Sequence, residues 1–352
     1  MLLDGRDPGA VEQAARQLAA GELLAFPTET VYGLGARADD NAAVARIFAA
    51  KGRPADHPLI VHVAHPADAA VFTSQLSPRA QRLIDAFWPG PMTIIVRRAD
   101  GVASAAAGGH ATLGLRCPAH PIAQTLLAAC RRLGVPGVAA PSANRFGRVS
   151  PTRAAHVIAE FGNTLAVLDG GDCAIGIESS IVDCSGPHAV LLRPGVTTRE
   201  RIEAVLGETL HNADESAPRA PGSLAVHYAP QAKLRIMSTA VLETALQMLR
   251  DHPQADVIRR ALHAGEEQSG KAIFAHEQPL KLAVYSRSLP AGSAPGFMHQ
   301  RMPSRPEAAA HELFATLREF DANGVQLIWV EEPPAGAEWD GVRDRLQRAA
   351  AS

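Results

Sequence analysis

Cysteine is scarce and poorly spaced for chemistry. The four residues, Cys117, Cys130, Cys173 and Cys184, are never two or three positions apart, which excludes a zinc knuckle and a CxxC redox pair. They are expected to be small buried thiols in a reducing compartment. Aromatic side chains make up 5% of the 352 residues, few for a protein whose main task is stacking bases. Neither charge sign dominates. There are 34 Lys+Arg against 36 Asp+Glu, a formal net charge of −2, whereas a sequence-blind nucleic-acid binder would be strongly basic. No apolar run approaches the roughly 20 residues of a membrane helix. The opening MLLDGRDPGA lacks a basic start and an apolar core, so no secretory signal is expected. These absences point to a soluble, cytoplasmic protein with no membrane partner. HExxH is missing, and no Ser-His-Asp order stands out.

Lysine is the rarest charge. Thirty of the basic residues are Arg and four are Lys: Lys51, Lys233, Lys271 and Lys281. Lys51 is alone in the first 232 residues. A compact ammonium and a planar guanidinium are not equivalent, so a lone Lys in an Arg-rich stretch invites a chemical reason.

Hydrophobic residues reach 47%, enough for real cores, and the length suggests two domains. From residue 8 to about 207, helical and strand patterns alternate. Helices are expected at 11–20, 41–50, 78–88, 120–133 and 198–206, with another opened by Ser150-Pro151 and closed by Gly162. Asn41 looks like an N-cap. Strands are expected at 22–26, 59–63, 92–96, 112–116, 138–140, 165–168, 180–183 and 189–192. The mixture predicts an α/β domain with a twisted mixed sheet. Residues 208–232, rich in Pro, Ala and small polar residues, read as a linker. Beyond it a β/α alternation resumes, with strands at 233–237, 282–285 and 325–330 and helices at 239–250, 306–321 and 339–350. That is a small doubly wound domain in outline, without GxGxxG or Walker A.

Six segments carry chemistry. PTETVYGLG (27–35) ends a strand with Thr28, Glu29 and Thr30, where α/β ligand sites lie, although a polar turn would read the same. In KGRPADHPLIVH (51–62), Lys51 and Arg53 straddle Gly52. Two cations this close repel unless an anion sits between them, although cationic helix C-termini are also common. His57 follows in the loop and His62 lies on a strand. TLGLRCP (112–118) puts Arg116 at a strand end, where it either snorkels or meets an acidic group. AAPSANRFGRVSPT (139–152) gathers Ser142, Asn144, Arg145 and Arg148, like an oxyanion or phosphate cradle. Ser150 is explained as a helix N-cap. GIESSIVD (176–183) carries Ser179 and Ser180, and LLRPG (191–195) places Arg193 at another strand end. Many cations and hydroxyls at strand ends suit positioning and charge stabilisation of a nucleotide.

Taken together, these segments closely resemble, in order across residues 10–207, the threonylcarbamoyl-AMP synthase family of YrdC-like proteins. PGSLAVHYAP and the tail look like its long, two-domain form. The resemblance implies a YrdC-like twisted mixed-sheet domain (1–207), a linker or lid (208–232) and a small Rossmann-like doubly wound domain (233–352). It implies synthesis of threonylcarbamoyl-AMP from L-threonine, bicarbonate or CO2, and ATP, with release of pyrophosphate. The product feeds threonylcarbamoyladenosine formation next to the anticodon in tRNA through a downstream transfer complex. Carried over by position, Lys51, Arg53, Ser142 and Asn144 form the catalytic pattern. Thr30, His62, Arg116 and Ser179 would contact threonine, with the backbone around Ala140. Arg53, His57, Thr112, Ser142, Ser150, Arg193 and Tyr228 would contact ATP, and the linker's His-Tyr segment would fold over the site. Magnesium is implied as the companion of ATP, held mostly by phosphates and water. Two departures stand out: Ser180 replaces the usual Thr, and His57 sits where a small polar residue is common. An RNA-binding module without synthase activity is the alternative, resting on the basic concave face of YrdC-like domains; weak contact with tRNA or other RNA goes with it. A carbamoyl-transfer domain of hydrogenase-maturation type is a further one. Such chains are longer and carry an acylphosphatase-like segment and zinc-finger cysteines, which are missing here.

Overall fold

The computed structural model describes residues 1–214, 217–222, 227–251, 281–289 and 297–351. Leu224 and Val226, apolar residues of the PGSLAVHYAP segment, lie outside the described residues. The first part of the chain contributes β1 (Leu2–Asp4), α1 (Pro8–Ala19), β2 (Leu24–Phe26), β3 (Gly33–Arg37), α2 (Asn41–Lys51), β4 (Ile60–His62), α3 (Pro78–Phe87), β5 (Met92–Arg97), β6 (Thr112–Arg116), α4 (Pro121–Arg132), β7 (Val138–Ala139), α5 (Ala154–Phe161), β8 (Ala166–Asp169), β9 (Ser180–Asp183), β10 (Val190–Arg193), α6 (Arg199–Leu206) and β11 (His211–Asn212). Its strands form one mixed sheet in the order β1-β8-β2-β3-β7-β4-β6-β5-β9-β10-β11. The tail contributes β12 (Lys233–Met237), α7 (Thr239–Asp251), β13 (Leu282–Ser286), β14 (Met298–Arg301), α8 (Pro306–Ala322), β15 (Leu327–Glu331) and α9 (Asp340–Ala350). Its sheet, β12-β15-β13-β14, is parallel throughout.

Period-2 alternation explains the tail. Leu282, Val284, Leu327 and Trp329 pack with Leu242, Leu246 and Leu249 of α7 on one face. Ala283, Tyr285, Ile328 and Val330 pack with α8 and α9 on the other. The doubly wound expectation therefore holds. The second cluster does not stop at the tail. It also takes in Val31, Val149, Ile177 and Tyr228, so the tail's core continues into the loops of the large sheet.

Three local expectations are corrected. The glycines of 33–35 belong to a strand, β3, antiparallel to β2. A Cβ at Gly35 would come within 2.9 Å of both the Phe26 ring and Val138, so the missing side chain permits the pairing. Asp40, one residue before the expected Asn41, caps α2 by accepting from the amides of Ala42 and Ala43. Ser150 is no helix cap. Helix α5 begins at Ala154 with Arg153 at the cap position, and the Ser150 hydroxyl donates instead to Glu178. Within the expected linker, β11 adds a short parallel strand to β10.

Candidate active site

Helix α2 ends in a glycine turn. Gly52 has φ +63°, the left-handed conformation that glycine adopts without strain, and the chain then redirects to Arg53. Lys51 turns inward. Its ammonium donates to the carbonyl of Ser142 at 2.6 Å and to that of Asn144, tying α2 to the 141–144 loop. Burial pushes its pKa well below the usual lysine value, and Arg53 adds to the shift. Arg53 donates to the Pro58 carbonyl at 2.9 Å and lies over the Phe146 ring. Its pKa falls to about 10 because of burial. Both side chains are buried. Arg53 lines the cavity, whereas Lys51 stands one layer behind it.

The adjoining wall comes from the sheet. Ile60 and His62 are two apart on β4 and share a face, and Arg116 pairs in register with His62 across β4 and β6. Arg116 donates to the Thr30 hydroxyl at 2.8 Å and to the Gly90 carbonyl at 3.2 Å. It also touches the Glu29 carboxylate at 2.6 Å, so of the two expectations for this strand-end cation, the acidic partner holds. Thr30 is fixed by Thr28, hydroxyl to hydroxyl at 2.9 Å. His62 is buried against Phe26. Burial first, then Arg116, lowers its pKa to about 3, so the ring is neutral at pH 7.

The third wall is built by residues 178–193 and the linker. Arg193 donates to the Ser179 carbonyl at 3.0 Å, the Ser179 hydroxyl at 3.1 Å and the Pro221 carbonyl at 2.8 Å. Ser179 also meets Thr93 at 2.8 Å. Pro221, Gly222, His227 and Tyr228 cover this wall. Tyr228 is buried with φ +61°, and Ala229 donates its amide to the Gly147 carbonyl at 2.8 Å. Outside, Arg219 of the linker reaches Asp56 at 2.8 Å.

The cavity these walls enclose is about 40 Å³, room for roughly three waters. A neighbouring cleft of about 180 Å³ shares Arg53, Gly222 and His227 with it and adds His57 and Phe146. Arg53 Nε and His62 Nδ1 are buried beside this space without a hydrogen-bond partner. Buried polar groups are normally satisfied, so these orphans are where a polar ligand would be received.

Of the residues expected from sequence, Thr30, Arg53, His62, Arg116, Ala140, Ser142, Ser179, Arg193 and Tyr228 line the cavity. His57 lines the outer cleft, and Lys51, Asn144 and Ser150 support the walls from behind. Thr112 is not brought there. It begins β6 while Arg116 ends it, about 13 Å away at the usual rise per residue. It lines a separate groove with Arg97, Arg98, His188 and His211. Sequence reasoning missed Glu178 as a wall residue, although it stands beside Ser179. It also missed Arg345 behind that wall, for which the sequence offers no signal.

Comparison with known proteins agrees along the whole chain. Residues 16–195 match a family model described as telomere recombination, that of Sua5, YciO and YrdC. Residues 197–351 match that of the threonylcarbamoyl-AMP synthase C-terminal domain. A threonylcarbamoyl-AMP synthase of Bacillus subtilis is 36% identical over 355 residues, covering 99% of this chain and 94% of its own. One of Pyrococcus abyssi is 37% identical, with 96% and 92% covered. The crystal structure of Pyrococcus abyssi Sua5 complexed with L-threonine superposes with a TM-score of 0.80 at 34% identity, covering 99% of this chain and 97% of that one.

Proposed function

The chain belongs to the threonylcarbamoyl-AMP synthase family, and we infer that it makes threonylcarbamoyl-AMP from L-threonine, bicarbonate or CO2, and ATP, releasing pyrophosphate. The observation that carries this reading is a cavity walled by three buried arginines, Arg53, Arg116 and Arg193, of which only Arg116 has a carboxylate partner among the described residues. Such a site is built to receive anions.

The threonine amino group attacks the carbon of CO2, or of bicarbonate with loss of water, forming a carbamate. A carbamate oxygen then attacks the α-phosphorus of ATP, and the bond to pyrophosphate breaks. Arg116, Thr30, His62 and Ser179 would hold threonine, with the guanidinium on its carboxylate and the hydroxyls on its side chain. Arg53, Arg193, Ser142 and Tyr228 would hold the nucleotide, with His57 at the outer edge. Lys51 would keep the 141–144 loop in place and lend its charge to the developing anion. The Ser150 hydroxyl spends its hydrogen bond on Glu178, so any part it takes with ATP would be as an acceptor or through that carboxylate.

Among the described residues no group of three metal-ligating side chains occurs, and the cavity's one carboxylate, Glu178, is committed to Ser150 and Arg345. Magnesium would therefore come with the triphosphate, its shell completed by phosphate oxygens and water, and would offset phosphate charge there. The linker would open to admit ATP and close to keep water from the carbamate and the adenylate. The product would pass to the transfer machinery that modifies tRNA, placing the enzyme in the cytoplasm. Among the described residues no helix is long and apolar enough to cross a membrane.

One assay tests the reading. Pyrophosphate release from ATP should require both threonine and bicarbonate. Release independent of either one, or none at all, would overturn it.

A further inference from the structure

We propose that Arg345, on the tail domain's helix α9, is a positioning residue for the nucleotide half of this reaction, holding Glu178 and Tyr228 against the cavity from behind; this rests on the synthase reading above. Arg345 is fully buried and does not itself line the cavity. Its Nε donates to Glu178 Oε2 at 2.8 Å and its Nη2 to the Glu178 carbonyl at 3.1 Å. Its Nη1 donates to the Pro194 carbonyl at 2.8 Å and to Asp344 at 2.7 Å. Its guanidinium carbon sits 5.3 Å from the centre of the Tyr228 ring. One tail residue thus joins three segments of the site, the loop before β9, the loop after β10 and the linker.

Its first-domain and linker partners distinguish this contact from ordinary domain packing. Glu178 and Tyr228 both face the cavity. Two other side-chain contacts from the tail, His311 to the Ala174 carbonyl at 3.2 Å and Arg318 to Glu160 at 3.0 Å, end on residues that do not. Burial alone would raise the Glu178 carboxyl, but Arg345, Arg193 and the Ser150 hydroxyl outweigh it and hold the group below its ordinary value. A buried carboxylate at the cavity wall is therefore kept charged from the far side of the interface. The threonine side has anchors of its own, Arg116 to Thr30 and Thr93 to Ser179, besides the Arg193 contact to the Ser179 hydroxyl. Loss of Arg345 should accordingly fall on ATP rather than on threonine.

A buried arginine can also be mere glue, so the test needs a matched control in the full-length protein. Glu331 is fully buried in the tail, where it accepts from the backbone amides of Arg287 and Ser288, and it does not touch the site. Arg345→Met, Arg345→Lys and Glu331→Gln are compared by melting temperature, threonine affinity by calorimetry, and pyrophosphate release. Arg345→Met should lower kcat/KM for ATP on the order of a hundredfold, as misplacement of a reacting group does, with threonine affinity within about threefold. Arg345→Lys, which keeps the charge, should recover about tenfold of that loss. Glu331→Gln should lower the melting temperature and leave kcat/KM within about threefold. The proposal is overturned if folded Arg345→Met keeps its kcat/KM for ATP. It is equally overturned if its losses for ATP and threonine run in parallel, or if Glu331→Gln loses as much activity at the same melting temperature. Should Arg345→Met fail to fold, Arg345→Lys decides, and wild-type ATP kinetics in that variant overturn the proposal. A wild-type protein that releases no pyrophosphate refutes the synthase reading instead, and the variants are then compared by ATP affinity in calorimetry.

Discussion

Gly222→Ala isolates the closing of the linker from the chemistry beneath it. Gly222 has φ +74°, a conformation that costs an L-residue about 1–2 kcal/mol. A methyl group on its Cα would fall 2.1 Å from the Tyr228 hydroxyl and 2.8 Å from Arg193 Nη1. Ordinary contact needs about 3.5 Å, so the linker and Tyr228 must part by more than about 1 Å. Tyr228 has little freedom to yield. Its ring is buried 4.1 Å from the His227 ring and 5.4 Å from that of Phe314. The linker should lift instead, and Arg193 would lose its bond to the Pro221 carbonyl, worth about 1 kcal/mol. A total near 2–3 kcal/mol, set against the closed linker alone, lowers the closed population roughly 30- to 150-fold. The expected result is a drop of that size in kcat/KM for ATP, measured by pyrophosphate release at saturating threonine and bicarbonate. The melting temperature should move by only a few degrees, because the methyl group burdens a covering segment rather than a core. A folded variant with wild-type kcat/KM would show that this closure contributes nothing to the reaction.

Further outcomes follow from the walls of the cavity. Arg53→Ala should lower turnover about a hundredfold, the usual effect of removing one charged contact to a developing anion, and Lys51→Ala by a similar factor through loss of its hold on the 141–144 loop, with circular dichroism preserved; near-normal turnover in either would remove that residue from its assigned role. Valine should be a poor substrate because a site that hydrogen-bonds a hydroxyl rejects analogues lacking it, and serine should bind more weakly by ~1 kcal/mol for the missing methyl; equal use of valine and threonine in the release assay would refute the assignment of Thr30 and Ser179. Stability should fall in acid. Burial is the main reason that His62 and His227 are held to about 3 in the fold, whereas an unfolded imidazole takes its proton near 6.5. The unfolded chain therefore binds more protons below about pH 6.5, and stability is lost as pH drops from there toward 3. Melting temperature should decline from pH 7.5 to 5, less steeply in His62→Gln, and identical slopes for the two proteins would contradict a buried neutral His62.

What was legible in the sequence was local. Alternating apolar residues at 112–116, the continuous apolar run at 282–285, the Ser77-Pro78 helix start and the glycine after Lys51 each state their structure within a few residues, and each is found where expected. The strand through Gly33 and Gly35 was not legible, because glycine carries no strand signal; here the missing side chain at Gly35 admits the Phe26 ring and Val138. Ser150 misled for the opposite reason. Its Ser-Pro pattern is a sound local cap signal, but a carboxylate 28 residues away takes the hydroxyl. Thr112 and Arg116 share one short motif, yet an extended strand carries its two ends to different grooves. Glu178 and Arg345 are 167 residues apart, and no periodicity or spacing announces a pair of that kind.

The arginines of the molecule divide by how their charge is balanced, and the division separates support from site. Arg345 is buried, yet Glu178, Asp344 and the Tyr228 ring surround it, and its pKa is raised despite the burial that opposes it. Arg53 and Arg193 are buried too, with carbonyls and hydroxyls for partners and no carboxylate among the described residues. Burial lowers both. A fold selected for stability alone would not keep two guanidinium groups in that state, since uncompensated buried charge is among the costlier features a core can hold. The deficit is local to the cavity, in a chain whose formal net charge is −2. An anion between them would make it good, and under the synthase reading the same charges would supply differential binding to a polyphosphate and to the charge that develops as pyrophosphate leaves. The tail domain belongs to this arrangement. By holding Glu178 from behind, through its side chain and its carbonyl, it fixes one carboxylate at the cavity wall.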